Sequence, residues 1–236
     1  MTPIFRQLFD AESSTYTYLL GDPASGRAVL IDPVLEQVER DLQFVRELDL
    51  TLTHVFDTHV HADHITGSGV LRERTGARVV SGMGGAACAD LQVRNGDEVR
   101  VGGLTFRVLA TPGHTDDSVS YALAGRVFTG DALLVRGNGR TDFQNGDAGQ
   151  LYDSITRVLF ELPDSTLLYP AHDYQGRTVT SVGEEKRHNP RLAGKTREQF
   201  VEVMRNLHLP RPKKIDVAVP ANRACGYPQS PPPGAR

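Results

Sequence analysis

Cysteine is scarce in this chain: among 236 residues only Cys88 and Cys225 occur, far apart in sequence. Neither a disulfide framework nor a thiolate zinc knuckle is expected from such a pair, so a bound metal has to draw on histidine and carboxylate. A run of about 18 apolar residues, the length that crosses a bilayer, is missing. Residues 1–10 also lack the basic and apolar blocks of a secretion signal. These absences predict a cytoplasmic protein with no membrane partner. Positive charge is not in excess either; the formal net charge of −3 leaves no footprint for nucleic acid.

Apolar residues at 39% and charged residues at 23% are the balance of an ordinary globular protein, and 23 glycines with 14 prolines imply many loops. Short β-type runs at residues 4–10, 16–20 and 27–32 predict an antiparallel meander. A helix is expected from Pro33 to about Asp49, because Leu35, Val38, Leu42, Val45 and Leu48 recur on one face. A strand at 53–57, a helix to about Thr75 and a strand at 77–81 follow, and further strands at 97–101, 104–109, 118–123 and 127–129 suit a second sheet. Helices are expected at 148–162 and 196–207, with a last strand at 166–169 between them. Residues 209–219, punctuated by prolines, read as extended. No internal repeat is visible. This order predicts the α/β class, as a four-layer αββα sandwich. It forms one domain over residues 1–226, and residues 227–236 form a disordered proline-rich tail.

Four metal-ligand types fall within six positions in Thr58-His59-Val60-His61-Ala62-Asp63-His64. His59 and His61, two apart on a turning segment, can aim both rings the same way, and Asp63 and His64 are expected to start the next helix. Three more places follow expected strands: Pro112-Gly113-His114-Thr115, Thr129-Gly130-Asp131-Ala132 and Pro170-Ala171-His172-Asp173. Ligands from several strand ends converge on one rim of a sandwich. Capping or turn roles account for His114 or Asp131 singly, but not for all four places together. His54, His188 and His208 lack such company and read as structural or surface residues.

The set His59, His61, Asp63, His64, His114, Asp131 and His172 resembles the metallo-β-lactamase superfamily. That resemblance implies the αββα fold and a metal, not a reaction. Glyoxalase II hydrolases, flavin-linked oxygen reductases and iron dioxygenases all share these residues. Two readings compete. In one, two ions are held, the first by His59, His61 and His114, the second by Asp63, His64 and His172, with Asp131 bridging and a water activated for hydrolysis. In the other, His59, His114 and Asp131 alone form a two-histidine, one-carboxylate face with open positions suited to Fe(II). Ligand identity does not separate them.

The flanking segments resemble the persulfide dioxygenase (sulfur dioxygenase) branch. They include Thr58 to Gly67, Thr129 to Gln144 with its Gly139-Arg140-Thr141-Asp142, Tyr169-Pro170-Ala171-His172-Asp173-Tyr174, Asn189-Pro190-Arg191-Leu192 and Val219-Pro220-Ala221-Asn222-Arg223. The resemblance covers nearly all of residues 4–226. It departs at Asp116-Asp117, where many members have Pro-Gly, and it includes no appended sulfurtransferase domain. It implies oxidation of glutathione persulfide by O2 and water to sulfite and glutathione, with one Fe(II) per chain held by His59, His114 and Asp131. His61, Asp63, His64 and His172 then support the ligands. A homodimer is expected only by family analogy. Glutathione carries two carboxylates, so its pocket should offer cations; Arg140, Tyr174, Arg177, Lys186 and Arg223 lie in the family-like segments and are the candidates. Any one of them, taken alone, also fits a solvated charge or a packing residue, and Cys225 reads as a structural or incidental thiol. The rival readings are a dinuclear zinc thioester hydrolase of glyoxalase II type and a non-catalytic metal-binding sensor or sulfur-carrier partner.

Overall fold

A computed structural model describes residues 2–227. The tail expected to be disordered falls outside the described residues except for Tyr227, which packs partly buried against the Val79, Ala86 and Cys225 cluster.

Strands β1 (Ile4–Asp10), β2 (Thr15–Gly21) and β3 (Arg27–Ile31) form the antiparallel meander. The chain then crosses over through helix α1 (Val38–Glu47) to β4 (Thr51–Phe56), and through α2 (Ser68–Thr75) to β5 (Arg78–Gly82). Both strands add in parallel, and an unforeseen short strand, β6 (Leu91–Val93), closes the sheet. The second sheet begins with β7 (Glu98–Val101), β8 (Leu104–Ala110), β9 (Val119–Leu123) and β10 (Arg126–Gly130), all antiparallel. Helix α3 (Ala148–Ser154), prolonged by a π-helical turn, leads to β11 (Leu167–Pro170), which lies parallel to β10. The edge strand β12 (Thr180–Ser181) precedes α4 (Val182–His188), α5 (Arg197–Arg205) and α6 (Ile215–Arg223).

The layers follow from which face of each strand is apolar. In β2 every residue is buried: Tyr16, Tyr18 and Leu20 enter the core between the sheets, while Leu19 faces the opposite way, under the helices. Phe56, Phe106, Tyr121 and Phe128 complete the inner core. Each such side chain contributes about 1.5–3 kcal/mol when removed from water. Val38, Leu42 and Val45 of α1 seal one outer face, and Leu151, Ile155, Phe200 and Met204 seal the other. The α/β sandwich is therefore as expected. Helix ends are set by local chemistry: Asp147 caps α3, and Thr196 with Gln199 forms a capping box on α5.

Two expectations are corrected. Residues 215–219 are helical rather than extended, because Ile215, Ala218, Ala221 and Asn222 share a buried face that outweighs the presence of Pro220 within the helix. Cys88 and Cys225 form a disulfide, with Cα atoms 6.0 Å apart. Separation in sequence argued against any bridge, but α6 returns the chain to the loop after β5. Ala87 N donates to Arg223 O at 3.1 Å beside it.

The loops leaving the carboxyl ends of β4, β8, β10 and β11 open on one rim. Backbone bonds tie that rim across the sheets, Val119 N to Thr58 O at 2.9 Å and Tyr16 N to Ala171 O at 2.7 Å, and within the second sheet Ala171 N donates to Gly130 O at 3.0 Å.

Candidate metal centre

After β4 the chain runs without regular structure until α2 begins at Ser68, so Asp63 and His64 lie in a loop rather than in the first turn of the helix. A buried loop must satisfy its peptide groups with side chains, and buried carboxylates do so here. Asp32 accepts from Thr58 N at 2.7 Å and from its hydroxyl at 2.9 Å, and Asp117 Oδ2 accepts from Val60 N at 2.9 Å. Asp57 accepts from the hydroxyls of Thr66 and Ser68 at 2.9 and 2.8 Å. Burial, reinforced by the neighbouring charge of Asp32, pushes Asp57 up to about 7. Sequence reading passed over these three residues. The only signal it registered was the departure at Asp116-Asp117, and the structure shows Asp117 bracing the histidine loop.

His59, His114 and Asp131 bring one ligand atom each within 4.8 Å of one another. Each is held from behind. Thr58 Oγ1 lies 3.0 Å from His59 Nδ1, and His114 Nδ1 donates to Arg140 O at 2.6 Å, which leaves Nε2 facing Asp131 Oδ2 at 3.6 Å. Such outer contacts fix the ring and its tautomer. The backbone crowds in around them: a Cβ on Gly139 would come within 2.7 Å of His114 Nδ1, and one on Gly130, whose φ is +54°, within 2.7 Å of Thr58 Oγ1. Only glycine fits at either position.

His61, Asp63, His64 and His172 form a second group with the same mutual reach. Its atoms are differently engaged. His172 bonds Asp131 Oδ1 through Nδ1 at 2.6 Å and Asp63 Oδ2 through Nε2 at 3.0 Å. His64 Nδ1 lies 2.9 Å from Asp63 Oδ2. Among the described residues neither ring nitrogen of buried His61 is hydrogen-bonded, its Nε2 lying 3.2 Å from Asp32 Oδ1 but misaligned, and His64 Nε2 also lacks a partner. His61 belongs to a third buried group as well, with Asp32 and Asp57.

Burial alone would push His172 down, but the flanking charges of Asp131 and Asp63 carry it well above the ordinary histidine range. Burial likewise would raise Asp131 and Asp63, and His172 is the largest of the influences that hold both low. Burial, aided by neighbouring histidines, pushes His59 and His61 well down, so both rings are neutral and able to donate a lone pair. The chemistry of the donor set fits a divalent metal: neutral imidazoles and an ionised carboxylate, with the opposite edges secured.

A cavity of about 760 Å³ opens over this rim, lined by Asp63, His114, Asp131 and His172. Among the substrate-binding candidates, Arg140, Tyr174 and Arg177 line it. Arg140 is paired with Asp142 at 2.6 Å and donates to Pro210 O at 2.7 Å. Tyr174 is exposed, with its ring parallel to His172 and 6.2 Å from it. Lys186 and Arg223 do not line it: Lys186 pairs with Asp164 at 2.8 Å, and Arg223 lies near the disulfide. The cavity also recruits Arg191, absent from the candidates. Arg191 and Arg177 reach only the carbonyls of Asn138 and Val135, at 2.8 and 3.4 Å, and neither meets a carboxylate among the described residues.

The sequence model of the metallo-beta-lactamase superfamily matches residues 11–87 and 89–172. The persulfide dioxygenase ETHE1, mitochondrial, of Mus musculus is 52% identical over 233 residues, 97% of this chain and 91% of that protein. The crystal structure of ETHE1 from Myxococcus xanthus superposes with a TM-score of 0.94 at 78% identity, covering 95% of this chain and all of that one. A hydroxyacylglutathione hydrolase of a Bradyrhizobium strain is more distant, at 37% identity over 73% of this chain and 68% of that protein. The chain belongs to the metallo-beta-lactamase superfamily and, within it, to the persulfide dioxygenase family.

Proposed function

We propose that this chain is a persulfide dioxygenase that oxidises glutathione persulfide with O2 and water to glutathione and sulfite, using one Fe(II) held by His59, His114 and Asp131. The activity is that for which the relatives at 52% identity are named. The single observation that supports one ion rather than two is the double engagement of His172 and Asp63. A second ion would have to break carboxylate–histidine bonds that already satisfy both partners. The same contacts argue against the dinuclear hydrolase reading, and relatives named as enzymes argue against a sensor.

His59, His114 and Asp131 would hold ferrous iron, which would supply redox chemistry toward O2 and the persulfide. The protein's own part is positional. His172 and Arg140 O fix the carboxylate and the imidazole of the ligands from outside. The cavity holds the persulfide sulfur near them and shields it from bulk water, which converts a bimolecular encounter into a positioned one. Arg177 and Arg191, with no acidic partner of their own, suit the two glutathione carboxylates. No helix of the described residues is long and apolar enough to cross a membrane. A cytoplasmic location belongs to the same proposal. Cell fractionation tests it, and recovery of the protein outside the cytoplasm would overturn it.

The experiment is metal analysis of anaerobically purified protein followed by O2 uptake with glutathione persulfide. Close to one iron per chain, with sulfite released as O2 disappears, is expected. Two zinc ions per chain and thioester hydrolysis without O2 uptake would sink the reading.

A further inference from the structure

Asn222 belongs to none of the three donor groups, yet its side chain is wholly devoted to the loop that carries the histidines. Its Nδ2 donates to His61 O at 2.9 Å and to His64 O at 2.8 Å, and its Oδ1 accepts from Thr66 N at 2.8 Å. It is buried, 3% exposed. A primary amide has two N–H donors and one carbonyl, and here each meets a backbone group of a six-residue stretch that has no helix or strand of its own.

The helix that presents Asn222 is itself pinned to this region. Gly69 N donates to Cys225 O at 2.9 Å, a Cβ on Gly69 would come within 2.5 Å of that oxygen, and the Cys88 bridge holds the same turn. The residues matched by the superfamily model end at 172, so this brace comes from an extension beyond the matched region. Of the two rings it governs, that of His61 is the less secured otherwise, since His64 Nδ1 meets Asp63 Oδ2 at 2.9 Å. Among the described residues His61 has no hydrogen bond from either nitrogen, and its ring lies 4.0 Å from that of His59 and 4.4 Å from that of His64. Only the backbone and this packing set its place.

We propose that Asn222 is a positioning residue of the metal centre, which fixes the backbone from His61 to Thr66 and through it the packing of His61 against His59 and of His64 against His61. The proposal rests on the reading that His59, His114 and Asp131 hold the metal. Asparagine is needed because two carbonyls and one N–H must be met together. Aspartate keeps the shape but turns an acceptor toward both carbonyls, and alanine meets none of the three.

The probe is Co(II), titrated into metal-free full-length protein and followed by its visible absorption, which reports ligand geometry independently of turnover. Asn222→Asp and Asn222→Ala should weaken Co(II) binding by about 10-fold or more, the loss usual for groups that orient metal ligands, and should change the band shape. Val217→Ser, at an exposed position of the same helix, should change neither. Unchanged affinity and spectrum in a folded Asn222 variant would overturn the inference while leaving the metal reading intact. Failure of the wild-type protein to take up Co(II) would sink both. Should neither variant fold, hydrogen exchange on the wild-type protein decides: a protected Thr66 amide supports the bond to Asn222, and free exchange of that proton overturns it.

Discussion

Nδ1 of His172 lies 2.6 Å from Oδ1 of Asp131, and the other nitrogen of the same ring is taken by Asp63 at 3.0 Å. The ring is therefore a clamp between two carboxylates, and on the proposed one-ion reading it takes the atoms a second metal would need.

This clamp separates the roles of residues that look alike in sequence. On the proposed assignment Asp131→Ala removes a ligand and should abolish iron retention. His172→Ala removes only the outer partner of that ligand, and should lower metal affinity by about 10- to 100-fold while leaving a measurable site. His61→Ala should leave most of the iron bound. Iron per chain, measured after anaerobic purification and dialysis, checks all three; equal loss from His61→Ala and Asp131→Ala would make His61 a ligand.

The cavity rim makes a second distinction. Arg191 is partly buried, and that burial lowers its pKa from the ordinary arginine value without a carboxylate among the described residues to offset it. Such a cation favours an incoming anion. Arg191→Ala should raise the KM for glutathione persulfide by about tenfold, which corresponds to about 1.4 kcal/mol, with kcat little changed. Arg140→Ala should also raise KM, because Arg140 holds the cavity wall at Leu209 and Pro210. Lys186→Ala, paired with Asp164 away from the cavity, should behave as wild type. Steady-state O2 uptake at varied substrate gives the split between KM and kcat, and a raised KM in Lys186→Ala would show that the substrate reaches beyond this cavity.

What the sequence could reveal was set by how local each signal is. His59, His61, Asp63 and His64 are legible because four ligand types are adjacent, and β2 or α1 because their apolar periods are regular. Asp117, Arg191 and Asn222 act on the site only across the fold, through bonds that span 57, 53 and about 160 positions; the segments around them resemble or depart from the family, but nothing local shows what their side chains reach. Helix α6 was masked by its prolines, and the Cys88–Cys225 bridge by the 137 residues between its ends.

That bridge gives a stability test. It ties the end of α6 to the loop after β5 and restricts the unfolded chain over a long loop, an effect typically worth about 2–4 kcal/mol. Cys88→Ser should lower the urea midpoint accordingly. Wild-type protein denatured in dithiothreitol should match Cys88→Ser. Coincident curves for oxidised wild type and Cys88→Ser would mean that the bridge adds no stability.

A pH dependence follows from Asp41, which belongs to none of the three donor groups. It lies on the buried face of α1 with Val38, Leu42 and Val45. Arg40 Nε donates to its Oδ1 at 2.9 Å, Arg40 Nη2 lies 2.8 Å from the same oxygen, and Oδ2 is buried without a partner among the described residues. Burial raises its pKa from 3.8 to about 6, although Arg40 pulls the other way. The folded state therefore holds the proton more tightly than the unfolded one. Its contribution to stability is complete below the unfolded pKa, and is lost as pH rises through the folded one. A rise of about two units corresponds to about 3 kcal/mol. Asp41→Asn retains an oxygen for Arg40 and cannot ionise. The unfolding free energy of wild type relative to Asp41→Asn should fall between about pH 4 and pH 6 and be flat above about pH 7. Urea titrations of both proteins across that range measure the difference, and parallel curves would show that Asp41 ionises in the folded protein without penalty.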